Sequence, residues 1–166
     1  LTSLESAFAS VLLFYLDQQR ALGKSIDVNP ELLNWSSTGE LSSRYQYQNS
    51  GNSLNVLVTT RRKNQYRVHV EESALEGELF DVELLQVSGT SAQLQSNGHR
   101  QKIHFHEVCR GEIHISLNGQ NIELLNQLAF PPTAAVQVGD GQVTSPMHGA
   151  VLEVLVLKGD KVIKGQ

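Results

Sequence analysis

Apolar and polar positions follow two different rhythms along this chain. From Ala7 to Leu16 the sequence reads AFASVLLFYL, with Ser10 the one polar residue. These residues favour a helix, and no Gly or Pro interrupts them before Gly23. Thr2 followed by Glu5 has the spacing of a capping box, and Gly23 is placed to close the helix in a left-handed conformation. The pattern predicts a helix over about residues 3–22, with Leu4 to Ala21 at its centre. A helix lying on a surface shows an apolar stripe and a polar face. Here Phe8, Val11, Leu12, Leu13, Phe14, Tyr15 and Leu16 point in every direction. Something is expected to surround this helix; the plainer alternative is a core helix packed on one open sheet.

From Leu41 to Leu125 the rhythm changes to alternation, as at Leu54, Val56 and Val58 and at Ile113, Ile115 and Leu117. It predicts eight strands: Leu41–Gln48, Ser53–Thr60, Gln65–Glu71, Glu78–Val87, Thr90–Ser96, His99–Glu107, Glu112–Leu117 and Gln120–Leu125. Asn97-Gly98 and Asn118-Gly119 are the residues of two-residue hairpin turns. All connections are short, so neighbouring strands run antiparallel. Closing such a meander into an up-and-down barrel removes its two open edges, and the apolar helix is the candidate filling. The fold class is thus mainly β with one long helix: an eight-stranded antiparallel barrel around an N-terminal central helix. The tension lies in width. A regular eight-stranded barrel just holds its own side chains, whereas a helix needs about 10–12 Å. The barrel must be flattened, splayed or incompletely closed.

Between helix and strands, Lys24 to Thr38 is a loop carrying Trp35, expected to anchor over one end of the core. Residues 1–128 form the helix-plus-barrel domain. Residues 129–142, with Phe130-Pro131-Pro132, form an extended linker. Residues 143–166 carry a strand (Ala150–Leu157), a tight turn at Lys158-Gly159-Asp160 and a short strand (Lys161–Ile163). That is half of a small β-module. With Leu1 at the start and this pattern cut at Gln166, the chain is expected to be a piece of a longer polypeptide.

Composition narrows the chemistry. The 166 residues hold 17 acidic and 13 basic side chains. A nucleic-acid binder carries a clustered basic patch; here the one basic cluster, Arg61-Arg62-Lys63, sits at a turn, where a solvated loop tip explains it. No nucleic-acid or membrane partner is expected. The apolar run is shorter than the about 20 residues of a bilayer span, and no basic residue precedes it as in a secretory signal. The single cysteine, Cys109, excludes an internal disulfide and fits a reducing compartment. His104 and His106 share one strand face and His114 lies across the next turn. They are the candidate metal ligands, set against the reading of a polar outer face opposite Ile103, Phe105, Ile113 and Ile115. A Cys109–His hydrolytic pair lacks a third orienting group, and Glu71-Glu72 fits a solvated strand end. No catalytic residue is assigned.

Ser145-Pro146-Met147-His148-Gly149, then Val151, Val154 and Val156, then Lys158-Gly159-Asp160-Lys161-Val162 and Lys164-Gly165-Gln166 resembles the first half of a biotinyl carrier domain. The motif residues are Ser145, Pro146, Met147, Gly149, Gly159, Asp160 and Gly165. Lipoyl domains and membrane-fusion adaptors share the later part; the Ser-Pro-Met-x-Gly opening favours biotinyl. Helix, barrel and carrier in this order are similar to the α-subunits of biotin-dependent acyl-CoA carboxylases, and Leu33-Asn34-Trp35 to Tyr45 to their methylcrotonyl-CoA branch. The resemblance implies a linking domain with a helix inside an eight-stranded barrel, non-catalytic, joining a biotin carboxylase domain to a carboxyltransferase β-subunit. It implies biotin, and ATP with Mg in the biotin carboxylase part, as cofactors of the parent and not of this piece. The biotinylated lysine of the family lies in an Ala-Met-Lys-Met motif absent here, so Lys158, Lys161 and Lys164 are not expected to be modified. A bacterial parent would be cytoplasmic, a eukaryotic one in the mitochondrial matrix. Two other functions stay open: a small-molecule-binding barrel with the helix packed outside, and a carrier fragment of lipoyl or adaptor type.

Overall fold

A computed structural model describes residues 1–26, 29, 32, 34, 36–37, 39–49, 52–72 and 77–130. Trp35 and the whole of 131–166, with the biotinyl-like motif and most of the expected linker, lie outside the described residues.

Helix α1 spans Ser3–Lys24. Its start is the expected capping box: Thr2 N donates to Glu5 Oε2 (2.7 Å), and Glu5 N donates to Thr2 Oγ1 (3.2 Å). Its end is not as expected. Gly23 lies inside the helix and does not close it. Ser25 ends it in an extended conformation (φ −80°, ψ 139°). Ser25 Oγ donates to Ala21 O and Ser25 N to Leu22 O. Those bonds satisfy two of the terminal carbonyls, which removes the need for a left-handed glycine.

Eight strands follow: β1 Ser42–Asn49, β2 Asn52–Arg62, β3 Gln65–Glu72, β4 Glu78–Ser88, β5 Ser91–Ser96, β6 His99–Cys109, β7 Glu112–Leu117 and β8 Gln120–Leu125. They pair antiparallel in chain order as one sheet. Both Asn-Gly turns have two positive φ angles, 50° and 80° at Asn97-Gly98 and 52° and 80° at Asn118-Gly119. Such a turn matches the twist of the strands it joins.

The period of two sends alternate side chains inward. Tyr47, Leu54, Val56, Val58, Val68, Leu94, Ile103, Ile113 and Ile115 are buried. Ser6 to Phe14 of α1 are buried without a break, so no face of that stretch meets solvent. The helix packs on β2, β3 and β4 and also on β7, and β3 and β7 stand on opposite sides of an eight-stranded ring. The helix is therefore inside the barrel, and the open-sheet alternative is excluded. A barrel with its helix outside and its interior free for a ligand is excluded with it.

Two features relieve the width problem. The enclosed stretch contains Ser6, Ala7, Ala9 and Ser10, whose small side chains let strands come close to the helix axis. The ring is also not sealed by a ladder: β1 and β8 lie alongside each other but are not paired. A short 3-10 turn, Gln127–Ala129, covers the seam. Asn126, only 7% exposed, is its pin. Its Oδ1 accepts from Gln46 N of β1 (3.0 Å) and from Leu128 N (3.3 Å), and its own N–H donates to Gly111 O. One side chain thus supplies the acceptor that a ninth strand would have given Gln46. Inside, the Ser10 hydroxyl donates to Ser6 O and meets the Tyr47 hydroxyl at 2.9 Å. This buried polar contact fixes the helix in one register against β1.

Candidate docking site at the helix exit

The second half of α1 leaves the barrel at the end that carries the β2–β3, β4–β5 and β6–β7 turns. There its surroundings become polar. Toward β6 and β7, Arg20 bonds Glu107, and Asp17 accepts from Arg20 (2.9 Å) and from Arg110 (3.1 Å). The bond to Glu107 raises the Arg20 pKa, against the opposing effect of burial, and Asp17 adds to the rise. Arg20 is a fixed cation that clasps the helix to the barrel rim. Toward the loop, the Gln18 amide donates to Asn34 Oδ1. Asn34 sits at φ 69°, a left-handed conformation that Asn tolerates better than most residues.

Toward the β2–β3 turn the helix exit is lined differently. A groove of about 970 Å³ opens instead, with Tyr15, Gln19 and Leu22 on one wall and Arg61, Arg62 and Lys63 on the other; Asn34 and Ser36 of the loop also line it. The basic turn and the Lys24–Thr38 loop are well separated in the chain, and the fold brings described residues of both to one site. The basic wall is rigidly held. Asn64 takes the left-handed conformation a two-residue turn needs (φ 60°), and its carbonyl accepts from Leu84 N of β4 (2.8 Å). Thr60 donates to Leu41 O through both its amide (2.9 Å) and its hydroxyl (3.2 Å). The ladder slips between Thr60 and Arg62, making Arg61 a bulge residue. Bulges re-aim side chains, and Arg61 reaches Glu40 at 3.6 Å.

The candidate metal ligands do not assemble. His106 pairs with His114 across β6 and β7, and His104 with Ser116. His104 and His106 are exposed, while His114 leans toward Glu112 Oε1 at 3.4 Å. Among the described residues no three His, Cys, Asp or Glu side chains could hold one metal ion. Ile103, Phe105, Ile113 and Ile115 behind them are buried, so these histidines form a polar outer face. Cys109 is exposed. Its thiol is held above its ordinary pKa by desolvation and by the Glu112 carboxylate 3.5 Å away. Negative charge beside a thiol opposes the thiolate a nucleophile needs. Among the described residues no helix is long and apolar enough to cross a membrane.

No family model and no curated protein matches this chain. Its functional reading therefore rests on its own residues. Sequence reasoning missed the Arg20–Glu107 clasp and the Gln18–Asn34 bond. The signal available was the polar turn Asp17-Gln18-Gln19-Arg20 following an apolar helix, which marks where the helix leaves its sheath.

Proposed function

We propose that this chain is a non-catalytic assembly module of a biotin-dependent acyl-CoA carboxylase α-subunit. In this reading it ties the biotin carboxylase part to the carboxyltransferase subunit and leads directly into the biotin carrier. The methylcrotonyl-CoA branch fits best, on the Leu33-Asn34-Trp35 to Tyr45 segment. One observation carries the proposal: along the chain, a sheathed helix and eight-stranded barrel precede the sequence Ser145-Pro146-Met147-His148-Gly149 and the later Gly159-Asp160 and Lys164-Gly165. A module that spaces two reaction centres has to be stiff. A barrel filled by the buried stretch Ser6 to Phe14 of α1, clasped by Arg20 and pinned across its seam by Asn126, has stiffness that an empty barrel lacks. Biotin, ATP and Mg belong in this reading to other parts of the parent. The compartment follows the parent: cytoplasm in a bacterium, mitochondrial matrix in a eukaryote.

The test is co-elution. The chain is mixed with its cognate carboxyltransferase subunit and run on a sizing column. A complex is expected to elute ahead of either component, with no carboxylation by the chain alone. Two separate peaks at micromolar concentrations of both would overturn the proposal.

A further inference from the structure

The groove beside the helix exit carries charge of a kind that the rest of the chain does not predict. The protein has a formal net charge of −4, yet one wall of its helix-exit groove is Arg61-Arg62-Lys63. Arg61 shares its charge with Glu40 at 3.6 Å. Arg62 and Lys63 have no carboxylate partner among the described residues, and both are exposed. Lys24, Arg44, Arg100 and Lys102 also have no carboxylate partner among the described residues, but none of them adjoins another in the chain, as Arg62 and Lys63 do beside Arg61. Facing the cations across the groove are the exposed Gln19 and the half-buried Tyr15 and Leu22. A concave surface with exposed cations and the single carboxylate of Glu40 on one side, and an aromatic and an aliphatic side chain on the other, suits an amphipathic peptide segment: carboxylates toward Arg62 and Lys63, apolar side chains toward the helix. Exposed cations held apart from anions cost the free chain some self-repulsion, and a partner's carboxylates would relieve it. A nucleic-acid strand fits less well. It needs a basic track longer than three residues, and the overall acidity of the chain repels it.

We propose that this groove receives a carboxylate-bearing segment of the carboxyltransferase subunit, with Arg62 and Lys63 as its charge contacts and Tyr15 and Leu22 as its apolar contacts. This rests on the assembly reading above. Neither cation supports the fold through a described contact, so both can be reversed without disturbing the core.

The experiment measures binding of the parent α-subunit to its carboxyltransferase subunit at low and high salt. The wild type is compared with the charge reversal R62E/K63E, the neutral pair R62Q/K63Q and a control reversal on the outer face, K102E. Affinity is expected to fall roughly tenfold or more for R62E/K63E and less for R62Q/K63Q. K102E is expected to bind as wild type, and the advantage of wild type over R62E/K63E to shrink at high salt. Unchanged thermal unfolding of the variants confirms that the fold is intact. Equal binding by R62E/K63E and wild type would overturn the groove while leaving the assembly function standing. If the wild type itself does not bind, the function fails and this inference with it. If a single-stranded DNA oligonucleotide displaces the carboxyltransferase subunit at comparable concentration, the groove belongs to nucleic acid and the inference is wrong.

Discussion

Alanine at Phe8, at Leu13 and at Phe14 is expected to destabilise the protein by about 2–5 kcal/mol in each case, the usual cost of emptying a core position. At about 100° per residue these side chains leave the helix in three directions roughly 120° apart. All three are buried, with exposures of 1%, 1% and 4%. A helix resting on one open sheet would turn at least one of the three to solvent, where truncation costs little. Urea unfolding of the three variants checks this. Three comparable losses are the signature of a helix enclosed on every side. The Phe14 loss should include its edge-on contact with Tyr66, ring centroids 5.7 Å apart, which adds roughly 0.5–1.5 kcal/mol to simple burial.

Alkaline pH should unfold the protein through its buried tyrosines. Burial pushes Tyr66 up to about 12, and Tyr15 nearby adds to the rise. Burial raises Tyr45 further, and charge repulsion from the neighbouring Tyr47 adds to the rise. Tyr47 is also raised by burial, partly offset by its bond to Ser10. In each case the folded state holds its proton more tightly than the unfolded chain, where a tyrosine titrates near pH 10. The stability these groups contribute is therefore complete below about pH 10 and is lost as pH rises toward the folded values. Tyr66 alone accounts for about 2–3 kcal/mol once pH passes 12. Urea midpoints should hold steady from pH 7 to about 9.5 and then fall steeply. The absorbance of these three phenolates should rise together with loss of structure, not before it. Tyr66→Phe should flatten part of that fall. A midpoint unchanged to pH 12, with phenolate forming in the folded state, would mean that water reaches these hydroxyls.

Much of this architecture could be read from the residues because the fold depends on simple periodicities. Ile113, Ile115 and Leu117 had to face one way on a strand, and they are buried together. An apolar surface running all round one stretch of the helix demanded a sheath, and the eight strands were the one structure long enough to give it. What escaped depended on pairs that meet only in three dimensions. Glu107 lies 87 residues from Arg20, so no local spacing hints at their clasp. Asn126 looked like the first residue of a pattern that stops, yet it holds the seam between the first and last strands. Gly23 misled because a following serine can cap a helix equally well. The groove could not be foreseen either. Its walls are a hairpin turn, a helix end and a loop, and their meeting depends on where the helix emerges from the barrel.

In the proposed assembly the barrel, and not the carrier that follows it, makes the contact between subunits. Deleting residues 1–130 from the full-length parent separates the two. The shortened parent should still be modified on its carrier lysine, seen by streptavidin blotting, but should no longer co-elute with the carboxyltransferase subunit. A shortened parent that still forms the complex would contradict the account, and so would a full-length parent that streptavidin never detects.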